Sequence, residues 1–251
     1  MIDALRKSLF RLIQKAEWRI LRLQGKGYGT STIRQEVRMA TLFVGPSPRL
    51  IIDIGANVGD YAASLRATFA ASEIHLFEPS ATNIQKLRAR FGPSTRIHIH
   101  GVAVGEKAGR QLLHYDEAGS GMASLSKRDL RHHGVDFSQS EEVRVVRFED
   151  FWKEELDARP IDFVKMDIEG HELAALRGFG EAIRKVSVLQ FEFGGCNMDT
   201  RTYFRDFWEF FSGHGFDLHR ITPLGVQRIE RYAEAEECFS TTNFLAVRRK
   251  D

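Results

Sequence analysis

The segment from Leu50 to Gly59 constrains the fold of this chain more than any other. An apolar run leads directly into Gly55 and Gly59, and residues that favour a helix follow from Asp60. Such a run is typical of a strand covered on both faces in a parallel sheet. Glycine has no Cβ, so the loop can approach a ligand closely, and the next helix offers that ligand its free N–H groups. The segment predicts a strand–loop–helix binding site in an α/β fold.

The acidic residue before the loop separates two kinds of nucleotide site. Dinucleotide-binding loops read G-x-G-x-x-G and hold a pyrophosphate at the helix N-terminus. Here the pattern is D-x-G-x-N-x-G, formed by Asp53, Gly55, Asn57 and Gly59. A carboxylate at this position repels phosphate and attracts an ammonium or hydroxyl group. We therefore expect a nucleoside ligand without a phosphate chain, although a nicotinamide-dependent oxidoreductase on a related sheet remains the alternative enzyme.

A second acid follows the next predicted strand, residues 73–77. Pro79 cannot continue a central strand, so Glu78 lies where the chain leaves the sheet. An acid roughly 20 residues beyond the glycine loop is positioned to accept hydrogen bonds from ribose hydroxyls. We predict that Glu78 holds the ribose of the ligand.

Strand and helix patterns alternate through the remaining chain. Further core strands are predicted at 96–104, 161–167, 186–193, 216–221 and 242–248, with helices at 60–70, 80–91 and 200–214. The alternation predicts a doubly wound, seven-stranded Rossmann-like sheet with helices on both faces. Residues 110–115 and 143–148 are predicted as an added hairpin, and the long loop between them as a lid or binding loop.

Several of these segments together resemble one known family. The matching pieces are Asp53–Gly59, Glu78-Pro79, Ala103-Val104-Gly105, Met122–Leu125, the Lys165–Glu172 block (KMDIEGHE) and Thr242–Leu245. In this order they resemble the FkbM family of S-adenosylmethionine-dependent methyltransferases over residues 34–248. The resemblance implies O-methyl transfer to a hydroxyl of a sugar, glycan or glycolipid-type acceptor. It also implies that S-adenosylmethionine is held by Asp53, Gly55, Asn57, Gly59, Glu78, Ala103 and Asp167.

The chemistry of methyl transfer suggests roles for the residues after the fourth core strand. The donor and the acceptor oxygen must be held in line, and an alcohol needs a base to take its proton. His171 has the pKa range suited to a base at neutral pH, while Asp167 and Glu169 lie beside it in sequence. In a less favoured alternative, Asp167 and Glu169, with Glu192, bind a divalent cation that acidifies the hydroxyl.

The charge of the chain is concentrated at its beginning. The net charge of the 251 residues is only +2, yet residues 1–26 hold seven Lys and Arg against two acidic residues. The remainder is slightly acidic, which argues against a nucleic-acid partner. Two cysteines are too few for a disulfide framework, and we recognise neither a signal-peptide pattern nor an apolar run long enough to span a bilayer. We expect a cytoplasmic enzyme with an extension (1–33) and a methyltransferase domain (34–251).

The extension has the pattern of a basic amphipathic helix. At about 100° per residue, one narrow arc holds Ile2, Leu5, Leu9, Leu12, Ile13, Ala16, Ile20 and Leu23. The opposite side holds Lys7, Arg11, Lys15, Arg19, Arg22 and Lys26. Two interpretations stay open: the helix docks on its own domain or on a partner subunit in a homo-oligomer, or it lies in an anionic membrane interface. The third functional hypothesis, besides a methyltransferase and an oxidoreductase, is a non-catalytic scaffold that docks a partner enzyme through this helix.

Overall fold

The computed structural model describes residues 2–30 and 32–250. Within these ranges the helices are α1 (Ile2–Leu23), α2 (Ile33–Val44), α3 (Asp60–Thr68), α4 (Ala81–Phe91), α5 (Phe148–Glu155), α6 (Glu172–Gly178), α7 (Cys196–Thr200) and α8 (Phe204–Gly213). The strands are β1 (Leu50–Ile54), β2 (Glu73–Phe77), β3 (Ile97–His100), β4 (Ala103–Gly105), β5 (Gly109–Tyr115), β6 (Gln139–Arg147), β7 (Ile161–Met166), β8 (Val186–Phe193), β9 (Phe216–Thr222), β10 (Gly225–Ile229) and β11 (Thr242–Arg248).

The main sheet has the order β10-β9-β11-β8-β7-β1-β2-β3. Strands β8, β7, β1, β2 and β3 are mutually parallel, whereas β11 pairs antiparallel with both β8 and β9. The predicted Rossmann-like sheet is confirmed. It carries one strand beyond the seven predicted, because β10 continues from β9 as an antiparallel edge strand.

Both faces of the sheet are covered, as the apolar run at Leu50 predicts. Ile52 and Ile54 pack into one core with side chains of α5, α6 and α8. Ile51, on the other face of β1, packs with side chains of α2, α3 and α4. Burial of β1 on both faces fixes the end of this strand, and with it the start of the glycine loop.

The third predicted strand is divided in the structure. Residues 96–104 do not form one strand, because the chain turns after β3 and the Val102 N–H donates to the His100 carbonyl at 2.9 Å. Residues 103–105 then form β4 in a separate three-stranded sheet, parallel to β6. The predicted hairpin is confirmed, since β5 and β6 pair antiparallel in this second sheet. The division carries Ala103 away from the main sheet.

The segment after α1 packs on the domain. The Gly27 N–H donates to Thr242 Oγ1 at 3.2 Å, and a Cβ on Gly25 would lie 2.5 Å from the Ile221 carbonyl oxygen. Gly25 and Gly27 thus contact the sheet that follows, and the domain boundary at residue 34 stays a prediction. Among the helices of residues 2–30 and 32–250, none is both long and apolar enough to cross a membrane.

Candidate active site

Two cavities meet at the carboxyl ends of β1, β2 and β7. The inner cavity lies between the glycine loop, the end of β2 and the second sheet. The outer cavity opens between α2, α3 and the ends of β8 and β11. Both are lined by the same five residues, which we call the junction: Gly55, Asn57, Gly121, Asp167 and Glu169.

The glycine loop is tightly enclosed at both of its glycines. Gly55 has a φ of +83°, and a Cβ there would lie 1.8 Å from the carbonyl oxygen of Asp167. Gly59 has a φ of +85°, and its Cβ would lie 2.6 Å from the ring of Phe91. Only glycine fits such contacts at these dihedral angles. The loop is thereby pressed against the end of β7, which brings the predicted cofactor loop and the acidic block together.

Glu78 ties the end of β2 to this loop. Its Oε2 accepts a hydrogen bond from the Asn57 N–H at 2.8 Å, and its Oε1 accepts one from the Ser80 N–H at 2.9 Å. Burial raises the pKa of the Glu78 carboxyl above its ordinary value, while the two N–H donors oppose the shift. Each carboxylate oxygen can accept a further hydrogen bond, and Glu78 lines the inner cavity. The arrangement suits a ribose diol.

Asn83 is a residue of the inner cavity that the sequence analysis missed. Its Nδ2 donates to Asn57 Oδ1 at 3.0 Å, whereas its Oδ1 is buried without a hydrogen-bond partner among the described residues. This acceptor is available to a donor group on a ligand in the inner cavity. Together with the cradle at Gly55, this orphaned oxygen fits the nucleoside part of S-adenosylmethionine. Its place in the first turn of α4, just after Glu78-Pro79, was the available signal.

The remaining predicted cofactor residues lie at different depths. Ala103 lines the inner cavity. Asp53 is fully buried below the loop and lines neither cavity. Within the described part of the chain its carboxylate has no hydrogen-bond partner. Burial raises the pKa of Asp53 to about 6, and the Lys165 ammonium opposes this shift. A direct contact between Asp53 and the cofactor stays a prediction.

Two ion pairs hold the acids of the junction. Lys165 Nζ donates to Asp167 Oδ2 at 2.9 Å, and Arg128 pairs with Glu169 and also with Asp199, the latter at 3.0 Å. Burial lowers the pKa of Lys165, but the charges of the surrounding carboxylates outweigh burial, so its pKa is raised and the ammonium stays charged. Burial raises the pKa of Glu169, the charge of Asp167 raises it further, and Arg128 opposes both.

His171 does not lie where the sequence analysis expects a base. Its Nε2 is 3.0 Å from Ser126 Oγ, and the residue lines neither cavity. The reason is local: Gly170 has a φ of +97° and lies against Cys196, so the chain reverses before α6 begins. Burial lowers the pKa of His171. The structure therefore brings Asp167 and Glu169 to the junction and leaves His171 outside it.

A buried polar network forms one side of the outer cavity. Gln190 on β8 accepts a hydrogen bond from the Tyr61 hydroxyl at 2.6 Å and donates to Glu36 Oε2 at 2.6 Å. Glu36 and Tyr61 line the cavity, as does Glu192 further along β8. Burial, followed by the charges of nearby carboxylates, raises the pKa of Glu192 well above its ordinary value. The polar Gln190 in the buried middle of β8 was the one sequence signal for this network.

A separate group of histidines lies on β2 and β3. Among residues 2–30 and 32–250, only Glu73, His75 and His98 bring three potential metal-ligand atoms within 4.8 Å of one another. Arg159 bonds both oxygens of Glu73, at 2.9 and 3.2 Å, and His75 Nε2 lies 2.9 Å from one of them. The guanidinium already neutralises the carboxylate, so this group is an ion-pair network away from the cavities.

Comparison with known proteins identifies the family. The methyltransferase FkbM domain model matches residues 53–218, about two thirds of the chain. The 2-O-methyltransferase NoeI of Sinorhizobium fredii (strain NBRC 101917 / NGR234) is 28% identical over 174 residues, which cover 65% of this chain and 70% of that protein.

The solved structures that are similar to this chain are more distant from it in sequence than NoeI is. The Methanococcus jannaschii fibrillarin pre-rRNA processing protein has a TM-score of 0.49 at 7% identity, covering 88% of this chain and 77% of that one. A Thermotoga maritima SAM-dependent O-methyltransferase has a TM-score of 0.45 at 12% identity, covering 87% and 66%. On the match of the family model, and not on these structures, the chain belongs to the FkbM family of S-adenosylmethionine-dependent methyltransferases.

Proposed function

We propose that this methyltransferase transfers a methyl group to a hydroxyl of a sugar, glycan or glycolipid-type acceptor held in the outer cavity. The observation that carries the proposal is the meeting of the two cavities at Asp167 and Glu169. When bound, S-adenosylmethionine supplies an electrophilic methyl group on a sulfonium. The relative NoeI is named a 2-O-methyltransferase, which supports oxygen as the methyl acceptor.

The lining of the outer cavity supports a hydroxyl-rich acceptor. Oxygen acceptors come from Glu36, Glu192 and Asn243, and Phe239 adds an aromatic ring. Carboxylate and amide oxygens accept hydrogen bonds from hydroxyl groups, while an aromatic ring covers the apolar face of a sugar. Glu36 and Asn243 already accept hydrogen bonds from within the chain, and each of these oxygens can accept a further one from a hydroxyl of the acceptor.

Glu169 is the group that we assign to the hydroxyl proton. General bases work best when their pKa lies near the operating pH, and burial raises the pKa of Glu169 from its ordinary range in that direction. Asp167, fixed by Lys165, then orients the hydroxyl for in-line attack. His171 is assigned no direct role, because its ring bonds Ser126 away from the junction. Lys165 and Arg128 already counter the charge of these acids, so we propose transfer without a divalent cation.

The assignment is tested by methyl transfer from labelled cofactor to a panel of saccharide acceptors. Glu169→Gln keeps the shape of the side chain and removes the base, so we expect kcat to fall by about 10²–10⁴-fold with S-adenosylhomocysteine binding retained. Glu230→Gln, at a side chain that is 72% exposed, is the control and should behave as wild type. Wild-type kcat in Glu169→Gln, or a wild-type acidic limb of its pH profile, would show that another group takes the proton.

Cofactor binding is tested separately by calorimetric titration with S-adenosylhomocysteine. Glu78→Ala removes the two hydrogen bonds that the Glu78 carboxylate would accept from the ribose hydroxyls. Each hydrogen bond to a charged group contributes about 1.5–3 kcal/mol. We expect Kd to rise by at least about a hundredfold. Asn83→Ala should give a smaller rise, because only neutral hydrogen bonds are lost. Unchanged affinity in Glu78→Ala would place the ribose elsewhere.

The localisation and partners of the enzyme complete the proposal. Cys196 and Cys238 are both free in the structure, and free thiols are typical of proteins in a reducing compartment. We therefore propose that the enzyme acts in the cytoplasm on a small-molecule or glycan acceptor, without a nucleic-acid partner.

A further inference from the structure

The apolar face of α1 is exposed along the length of the helix. The side chains of this face are each more than half exposed: Leu5, Leu9, Leu12, Ile13, Ile20 and Leu23. An exposed apolar patch of this extent marks an interaction surface. The sequence-based interpretation in which this face docks on the chain's own domain is therefore wrong.

The other side of α1 identifies the chemistry of the occupant. The helix carries six Lys or Arg residues against two acidic ones, and its polar side presents Lys7, Arg11, Lys15, Arg19 and Arg22. Trp18, with Arg22 stacked at 5.2 Å from its ring centroid, is also more than half exposed. Basic residues next to an apolar face, with an amphipathic tryptophan, match the headgroup region of an anionic bilayer.

A second copy of α1 is a poorer fit to the same surface. Pairing two apolar faces would bring two strongly basic helices together, whereas paired helices normally select one another through opposite charges beside the apolar seam. The phosphates of an anionic bilayer supply the missing negative charge. Each basic side chain near the surface then raises the affinity about fivefold.

We propose that α1 lies in the plane of an anionic membrane surface, with its apolar face at the boundary of the acyl chains. A helix of 22 residues is roughly 33 Å long, so it offers an extended contact parallel to the bilayer. Residues 24–30 then join α1 to the domain, and Gly29 and Thr30 line the outer cavity. Membrane binding thus holds this cavity near the lipid surface. The proposal is independent of the acceptor, because α1 lines neither cavity.

Vesicle flotation of the full-length protein tests the proposal. The lipids are pure phosphatidylcholine and phosphatidylcholine mixed with phosphatidylglycerol. One variant carries Leu9→Gln, Leu12→Gln and Ile13→Gln, and a second carries Arg11→Gln, Lys15→Gln and Arg19→Gln. Leu224→Gln is the matched control, because Leu224 is 83% exposed in the turn between β9 and β10, outside α1. Thermal unfolding shows whether each variant folds as wild type does.

We expect wild type and Leu224→Gln to float with the anionic vesicles and to remain behind with neutral ones. The triple basic variant should lose about a hundredfold in partitioning, and the triple apolar variant should lose binding altogether. Equal binding to neutral and anionic vesicles, or unchanged binding of the apolar variant, would overturn the proposal. A wild-type dimer by light scattering that becomes a monomer in the apolar variant, with no vesicle binding in either, would assign the face to a second copy instead.

Discussion

The closeness of Gly55 to the end of β7 gives a sharp test of how the site is built. In Gly55→Ala, the new Cβ would lie 1.8 Å from the Asp167 carbonyl oxygen, where ordinary contact is 3.4–4 Å. The backbone must therefore move by more than an ångström. That movement disturbs the hydrogen bond from the Asp167 N–H to the Ile54 carbonyl, which is 3.0 Å long.

The expected loss of stability has three contributions, of which the first is conformational and the other two come from packing against β7. A left-handed conformation costs an alanine about 1–2 kcal/mol. Overpacking adds about 1–3 kcal/mol, and a lost hydrogen bond adds about 0.5–1.5 kcal/mol. Gly134→Ala isolates the first part, because Gly134 has a φ of +72° and no described atom lies within 4 Å of its added Cβ. We expect a loss of about 3–6 kcal/mol for Gly55→Ala, against about 1–2 kcal/mol for the control.

Thermal unfolding and titration with S-adenosylhomocysteine measure the two effects. For a chain of this size each kcal/mol lowers Tm by about 2–4 °C, so Gly55→Ala should lose roughly 6–24 °C and its affinity for the cofactor product. Gly134→Ala should lose roughly 2–8 °C and bind as wild type does. Equal losses of Tm in the two variants, with unchanged binding in both, would refute the argument that the loop is pressed against β7.

Three further outcomes follow from the same structure. Gln190→Leu leaves the buried Tyr61 hydroxyl and Glu36 Oε2 without the hydrogen bonds that they make to Gln190. The free energy of unfolding in urea should therefore fall by about 2–6 kcal/mol. An unchanged value would show that these hydrogen bonds do not stabilise the fold. Burial lowers the pKa of His100 to about 4, and the unfolded chain binds that proton first as pH falls from 6.5. As pH falls from 6.5 to 4, wild type should therefore lose more Tm than His100→Phe does. A difference in Tm that stays constant over this range would show that the pKa of His100 is not lowered by burial. Methyl transfer should survive EDTA; a loss restored by Mg²⁺ would establish a metal requirement.

The parts of the fold that the sequence predicts are the ones that local signals specify. The apolar run, the glycine spacing and the proline after Glu78 each lie within ten or so neighbouring residues, and the strand–loop–helix unit followed from them. The break after β3 could not be found this way. It depends on the pairing of β4 with β6, whose residues lie far along the chain, and periodicity carries no information about such partners.

The candidate site shows the same division. Asp167 and Glu169 were predicted because they follow a core strand, and the structure brings them to the junction. His171 lies outside the cavities because its position depends on the positive φ of Gly170 and the contact with Cys196, a tertiary effect, and its catalytic role stays a prediction. Asn83 and Gln190 were missed because their significance comes from partners on other elements.

Glu192, which lines the outer cavity on β8, allows stability and function to be measured separately. Burial and neighbouring charges raise the pKa of Glu192 well above its ordinary value, so the native state holds a proton that the unfolded state releases once pH exceeds 4.5. This difference costs stability at neutral pH and vanishes as pH falls towards 4.5. Glu192→Gln imitates the protonated form, so we expect a higher Tm at pH 7, no gain near pH 4.5, and weaker methyl transfer. Glu181→Gln, at a side chain 65% exposed, should change neither quantity. A Tm of Glu192→Gln that falls at pH 7 would mean that Glu192 stabilises the fold. A gain in stability with a loss of turnover is expected of a residue that serves function at the expense of stability.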